Sequence, residues 1–489
     1  MKVQNNKIVF VDGMYSDITV INLFLSFSKV ISPNSELLCV NSISSPKIKE
    51  TALNGVKFVR YKPYLVGFFI SLKYIILFLK SIFIGPSVFK KLLVINGVNC
   101  YGDFIDTLSI KLGLKFRELS KIKLLLFYYY ELSFFLYFKI YFRNNHHNIS
   151  KMVLGDTAYR YGYFAKLSMI YNIPVLCNID LNALIFNYYY NGYLNNTVPR
   201  KIEDNDVVYV KTNFDISTLD EYFLKRFKGQ IKQHDVLKAF SSKSDILQVS
   251  KLNSLKKYKN KDDIIVTLFA HVFIDAPNNI PGLLFDDFYD WFLHSVKSLL
   301  KNKNVILLIK EHPSASLYKN EKGLVADILK NNFNNDKIHL LNNINTDVLL
   351  ENSDFIVTAS GTVIYEALYK GKSVVMASKK TFSNENLLYD FDNKIDYLTF
   401  LENLNIKNIL NLSNEINLKY ISYIHFVLLN NRSYLSNFPV KPYVRGKNLN
   451  RVSFKEIYTY MKSDSKFKKS FDYFIKSEHE IYKPNFYEL

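Results

Sequence analysis

Short apolar runs closed by polar residues alternate along this chain with longer stretches in which apolar positions recur every three or four residues. The first period suits buried strands and the second suits helices packed on them, so the alternation predicts a parallel sheet covered by helices. In the first half the strand-like runs are KIVFV, ELLCV, VKFVRY and KLLVING, then MVLGD, IPVLCNI and DVVYV, with helices near 19–27, 161–172 and 216–227. A second series holds IIVTLFAHV, VILLI, KIHLL, FIVTA and SVVMA, with helices near 288–300, 317–331 and 363–369. Between them, residues 236–262 turn polar and lysine-rich, the composition of a linker. The pattern therefore predicts an α/β chain with a doubly wound domain over 1–235, a linker over 236–262, a second doubly wound domain over 263–430 and an aromatic, basic extension over 431–489. That extension is expected to pack back on the first domain.

Two apolar segments do not fit the strand-and-helix rhythm. Residues 64–84, YLVGFFISLKYIILFLKSIFI, approach the length of a membrane span but carry Lys73 and Lys80, seven apart and so on one helical face. That spacing suits a helix lying in a membrane interface, with Arg60, Lys62, Lys90 and Lys91 adding charge attractive to anionic lipid. Residues 123–142 are aromatic and interrupted by Glu131. For both segments a buried helix of the first domain is the competing reading.

The chain has 489 residues, 48% of them apolar, and 63 Lys plus Arg against 44 Asp plus Glu, for a formal charge of +19. This favours an anionic partner, whether phosphorylated substrate, nucleic acid or acidic membrane, although a general bias toward Lys, Asn, Ile, Tyr and Phe accounts for part of it. No RNA-binding or DNA-binding motif accompanies the charge. Cys39, Cys100 and Cys177 are far apart and suggest neither a disulfide framework nor a zinc site, which fits a reducing cytoplasm. The opening MKVQNNKIVFVDG lacks the long apolar core and cleavage pattern of a signal peptide, so the chain is expected to start inside its first domain.

Candidate chemistry gathers where strands end. In open α/β sheets, ligands bind at the carboxyl edge. The run VILLI ends in Lys310, Glu311, His312 and Pro313, where His312 can donate to a phosphate or base, Lys310 supplies charge and Pro313 fixes the backbone, or where the four form a plain turn. The run FIVTA passes into Ser360, Gly361 and Thr362 before a helix carrying Glu366. Small residues at such a place cradle a phosphate, or merely cap the helix; Glu366 binds a ribose hydroxyl or lies on a solvated face. His271, one residue past IIVTLFA, is a candidate for stabilising a leaving phosphate, with Asp275 nearby; the bland alternative is a His271–Asp275 hydrogen bond. In the first domain, Asp156 follows a strand and precedes Tyr159 and Arg160. It is a candidate general base or nucleophile, or a helix cap, while the planar fork of Arg160 suits a carboxylate.

The pairing of KEHP with SGTVIYEAL resembles bacterial capsule polysaccharide biosynthesis proteins and related surface-glycan glycosyltransferases of the two-domain GT-B fold. The resemblance covers chiefly residues 263–380. It implies two Rossmann-like domains facing a cleft, with Lys310 and His312 on the donor nucleotide and Ser360, Gly361 and Thr362 on its phosphate. It further implies a CMP-activated acidic sugar as donor, as in β-Kdo transferases and bacterial sialyltransferases, whose carboxylate Arg160 would meet, and a glycan or lipid-linked glycan as acceptor. UDP- and GDP-sugar donors, and polyol-phosphate transfer of the teichoic-acid type, remain open, as does a noncatalytic nucleic-acid or lipid-binding role. No metal is expected: Asp390-Phe391-Asp392 spells Asp-x-Asp but stands apart from the strand ends, and no cofactor beyond the nucleotide sugar is implied. The expected location is the cytoplasm, with peripheral contact at an anionic inner membrane.

Overall fold

The computed structural model describes residues 8–13, 18–41, 56–60, 63–113, 120–180, 185–189, 202–231, 236, 239–240, 244–318, 320–333, 335–380, 382, 387–412, 417–429 and 452–463. The chain divides into two compact units: Met1–Pro199 with Asn431–Leu489, and Arg200–Asn430.

The sheet of the first unit is built from β1 (Ile8–Gly13), β2 (Glu36–Asn41), β3 (Val56–Arg60), β6 (Ile149–Leu154), β7 (Val175–Asp180) and β8 (Ile185–Tyr189), in the order β3-β2-β1-β6-β7-β8. All neighbours are parallel except β7 and β8. Side chains alternate across β1, so both faces need cover. Val9 and Val11 enter a core with Phe24 and Phe27 of the helix Ile18–Ile31, whereas Phe10 enters a larger core with Phe138 and Phe142 of the helix Lys121–Asn145. The aromatic segment at 123–142 is thus a core helix, and its Glu131 is buried in an ion pair with Arg160.

The C-terminal helix Phe454–Ser463 returns to the first unit as expected, placing Ile457 and Met461 in the core with Phe24 and Phe27. Asn22 Nδ2 donates to Val452 O at 3.0 Å and secures the return. The KLLVING run differs from its expected strand. It forms a two-stranded hairpin, β4 (Val94–Ile95) with β5 (Val98–Asn99), because Asn96 and Gly97 both take positive φ, 48° and 81°, the turn that matches strand twist.

The second unit holds a wholly parallel sheet, β9 (Ile264–Phe269), β10 (Val305–Lys310), β11 (Ile338–Leu340), β12 (Phe355–Thr358) and β13 (Ser373–Met376), in the order β11-β10-β9-β12-β13. Every residue of β9, β12 and β13 is buried, as continuous apolar strands under helices require. Each unit therefore has Rossmann-like strand order, growing outward from a first strand in one direction and then the other.

Two stretches sit elsewhere than the pattern places them. DVVYV, expected as a strand of the first domain, lies in the helix Asp204–Asn213 of the second unit, where the buried Asp206 accepts the Glu203 N–H at 2.9 Å and caps the first turn. The lysine-rich stretch expected as a linker contains the helix Ile246–Lys257, capped by Asp245 and anchored by buried Leu252; Lys259 then pairs with Asp354 at 2.5 Å. Its lysines solubilise one face of a packed helix. Among the described residues, no helix is long and apolar enough to cross a membrane.

Candidate functional site

β9 lies between β10 and β12, and the chain leaves β9 for β10 and β11 on one side before crossing to β12 on the other. The crevice past the carboxyl ends of β9 and β12 is the switch point of this sheet, where ligands of such folds bind. Three loops converge there: the one after β9 with His271, the one after β10 with His312, and Ala359–Thr362 after β12.

His271 stacks on Phe288 with ring centroids 4.2 Å apart and planes 14° apart, and meets Trp291 edge-on at 5.7 Å. Its Nε2 accepts the Ser360 N–H at 3.2 Å and stands 3.3 Å from Thr358 Oγ1, whose proton goes to Ser360 O at 2.8 Å. That pattern assigns the ring proton to Nδ1. Burial, with His312 adding to it, pushes the imidazole down to about 3, so the ring is neutral at pH 7. His271 therefore holds the β12 loop in place, and the His271–Asp275 hydrogen bond weighed from the sequence gives way to this one. Asp275 itself is exposed, on a turn whose N–H reaches Val272 O at 3.1 Å.

The His312 ring lies 6.4 Å from that of His271, nearly parallel at 20°. Its Nδ1 accepts the Ser314 N–H at 3.1 Å, which puts the proton on Nε2. Pro313 occupies the middle of the turn closed by Ala315 N–H to His312 O at 2.9 Å. The neighbours in sequence turn inward. Lys310 is buried and donates to Ile344 O, and burial lowers it to about 8 against the pull of Glu366. Glu311 accepts the Gly323 N–H at 2.8 Å, ahead of the helix Leu324–Asn332. The phosphate contact expected of Lys310 is thus replaced by a clamp on the segment after β11, and Glu311 orders the loop.

After β12, Gly361 takes φ +107°, a conformation only glycine adopts without strain, and both Gly361 and Thr362 are exposed. His271 Cε1 would lie 3.6 Å from a Cβ at Gly361, so the glycine backbone and the imidazole are near neighbours. Glu366, one turn into the helix Val363–Tyr369, is 4% exposed and pairs with Arg226 of the helix Ile216–Phe227, itself 3% exposed, at 2.7 Å. This overturns the solvated-face reading of Glu366 and engages the carboxylate that was expected to meet a ribose.

Glu321 carries no sequence motif, yet it stands behind the β9 loop. Its Oε2 accepts the Phe273 N–H at 2.8 Å, while Oε1 is buried without a partner among the described residues. Burial raises this carboxyl to about 7, with Glu311 and Asp275 adding to the rise. The folded state then binds more protons than the unfolded chain between the ordinary value of 4.5 and about 7, and stability falls as pH rises through that window. Glu321→Gln is expected to flatten this dependence in thermal melting curves taken across the window. An unchanged slope would show that Glu321 ionises normally.

In the first unit, Asp156 follows β6, at the carboxyl side of that sheet's own switch between β1 and β6. Its Oδ1 accepts the N–H groups of Thr157 and Ala158 at 2.7 and 2.9 Å, so it orders the entry to the helix Tyr159–Ile170. Tyr159 opens that helix at φ +56°. Arg160 is committed elsewhere: Nε and Nη2 grip Glu131 at 2.8 and 2.5 Å, and the guanidinium packs over Tyr130 and Phe134. The expected role of Arg160 on an acidic sugar is therefore replaced by a buried ion pair that fastens this helix to the core helix Lys121–Asn145.

Residues 205–407 match the family model described as capsule polysaccharide biosynthesis protein. The matched segment contains the whole of the β9, β10 and β12 constellation, and Arg226 with it. No curated protein matches the chain. Solved structures that it resembles include the β-Kdo 2,4 transferase KpsC of Thermosulfurimonas dismutans, at 15% identity over 56% of this chain and 80% of that one, TM-score 0.32. Others are Alr3699/HepE of Anabaena in complex with UDP-glucose, at 11% over 88% and 98%, TM-score 0.28, and a UDP-GlcNAc 2-epimerase of Neisseria meningitidis, at 13% over 87% and 100%, TM-score 0.24. Likenesses this distant add nothing to the reading of the site. Among the described residues no group of three His, Cys, Asp or Glu is placed to hold a metal, and Asp392 of the Asp-x-Asp spelling pairs with Lys379.

Proposed function

We propose that this chain is a nucleotide-sugar glycosyltransferase of capsule or related surface-glycan synthesis, with the donor nucleotide bound at the switch point of the second unit. The observation that carries the reading is the meeting, inside the segment that matches the capsule-biosynthesis family, of the His271–His312 pair with the exposed backbone at Gly361 and Thr362. In this reading His312 Nε2–H donates to a donor phosphate oxygen, and the backbone at Gly361 and Thr362 receives the same phosphate. His271 acts one step back by fixing that backbone, and its neutrality keeps the geometry constant across physiological pH. A histidine donor and backbone amides suffice for a monophosphate leaving group, so the proposal includes no metal or further cofactor.

The finer proposal is a CMP-activated acidic sugar of the Kdo or sialic-acid kind. It rests on the likeness of KEHP and SGTVIYEAL to that family's turns, since Arg160 is engaged by Glu131. Asp156 is proposed as the acceptor-side carboxylate, supported by its place at a strand end and by a turn that fixes its orientation. The acceptor is a glycan or lipid-linked glycan, which would bring the enzyme to the cytoplasmic face of a membrane.

Calorimetric titration with CMP, UDP and GDP tests the reading. Selective CMP binding is the expected result. Selective binding of UDP or GDP would keep the transferase and replace its donor, and no binding by any of the three would overturn the nucleotide site.

A further inference from the structure

The helical segment Pro63–Ile84 is broken at Tyr74, whose φ of -115° and ψ of 17° leave the helix, and from Phe69 onward it turns one side inward and leaves the other exposed. Phe78 is buried, with its ring 5.4 Å from Phe89 and 5.8 Å from Tyr129, and Tyr74 and Leu77 pack beside it. On the rest of the helix Phe69, Leu72, Ile76, Leu79 and Phe83 are exposed, Phe83 to 81%. Single exposed leucines are ordinary, but large apolar side chains clustered on one element mark a surface that meets something. The cluster extends across to the start of the helix Lys121–Asn145, where Ile122 and Leu126 are exposed and Lys121 Nζ lies 4.9 Å from the centre of the Phe83 ring.

The charge on this surface has one sign. Lys73 and Lys80 are exposed among the apolar residues, and Lys90, Lys91, Lys121 and Lys123 are exposed around them. Residues 63–99 and 120–130 contain no aspartate or glutamate. A second copy of the same face would bring lysines against lysines with no carboxylate to answer them. A bilayer with anionic headgroups meets both features, because lysine stems lie along apolar surface while their ammonium groups reach the phosphates. The helix does not meet the requirement for a span. We infer that the outer face of the helix Pro63–Ile84, with the first turn of Lys121–Asn145, docks on an anionic bilayer with its axes in the plane of the interface. The inference rests on the proposed function only for its purpose, to bring the enzyme to a lipid-linked acceptor.

Cosedimentation of the full chain with phosphatidylcholine vesicles, with and without phosphatidylglycerol, tests it. Binding is expected to the anionic vesicles alone and to weaken as salt rises. Ile76→Glu with Phe83→Glu should reduce it about tenfold or more, and Lys73→Gln with Lys80→Gln should reduce it without touching apolar packing. The melting temperature and nucleotide titration of each variant should match those of the wild type. No vesicle binding, equal binding to neutral vesicles, or variants that bind like the wild type would each overturn the inference. So would a concentration-dependent dimer in sedimentation velocity that the glutamate variants abolish, which would assign the face to a second copy. Vesicle binding without any nucleotide binding would sink the proposed function and leave the docking surface standing.

Discussion

His312→Ala is expected to weaken nucleotide binding by about tenfold to a hundredfold, because a hydrogen bond to a charged acceptor contributes about 1.5–3 kcal/mol and each 1.4 kcal/mol is a factor of ten. The direction follows from the tautomer. Ser314 N–H occupies Nδ1, so the imidazole carries its proton on Nε2, in a ring whose centre lies 6.4 Å from that of His271. Alanine removes that donor and also the acceptor of the Ser314 N–H, a further cost of about 1 kcal/mol to stability because Ser314 is buried. The loss of affinity should therefore exceed the accompanying loss of stability. His312→Gln, whose amide is also a donor, should recover part of the binding. Titration of both variants with the nucleotide that the wild type binds decides the matter, and wild-type affinity in the alanine variant would remove His312 from the site.

The two histidines show how far the sequence carries. Both were visible as polar residues ending apolar runs, and the strands that deliver them lie where the pattern places them, because continuous apolar runs between helical periods leave few alternatives to a covered parallel sheet. What each nitrogen does was not visible. The Ser360 N–H that occupies His271 Nε2 comes from 89 residues away, and nothing near His271 in the chain announces it. Lys310 fails as a phosphate ligand for a related reason. On a strand whose residues alternate across the sheet, its side chain is carried into the protein to Ile344 O, and a one-dimensional pattern does not say which polar end turns inward. Arg160 and Glu366 repeat the point with charges: each looked available for substrate, and each answers an opposite charge buried on another helix. The misplaced stretches have a more local cause. DVVYV is apolar enough for a strand, but Glu203 and Asp206 stand three apart before its apolar residues, and that capping signal outweighs β-propensity.

The Arg226–Glu366 pair leads to the largest expected effect on stability. Arg226→Leu should destabilise the second unit by about 3–5 kcal/mol, since it leaves a carboxylate buried without its cation. The guanidinium also lies 3.8 Å from the centre of the Phe426 ring, a contact leucine replaces only in part. If the cost comes chiefly from the stranded charge, Arg226→Leu with Glu366→Leu should recover most of it, because a buried ion pair exchanged for apolar side chains is often close to neutral. Trp291 makes this measurable in a two-unit chain that need not unfold in one step. It is the single tryptophan, it is fully buried in the second unit, and it sits under His271, so its fluorescence in urea follows this unit and this site. The double variant then separates two roles for the pair. Recovered stability with normal nucleotide affinity would make Arg226–Glu366 an interchangeable support. Recovered stability with weakened affinity would show that Glu366, six residues beyond Ser360, sets the geometry of the loop that receives the phosphate, and that a buried pair distant from the ligand belongs to the binding site.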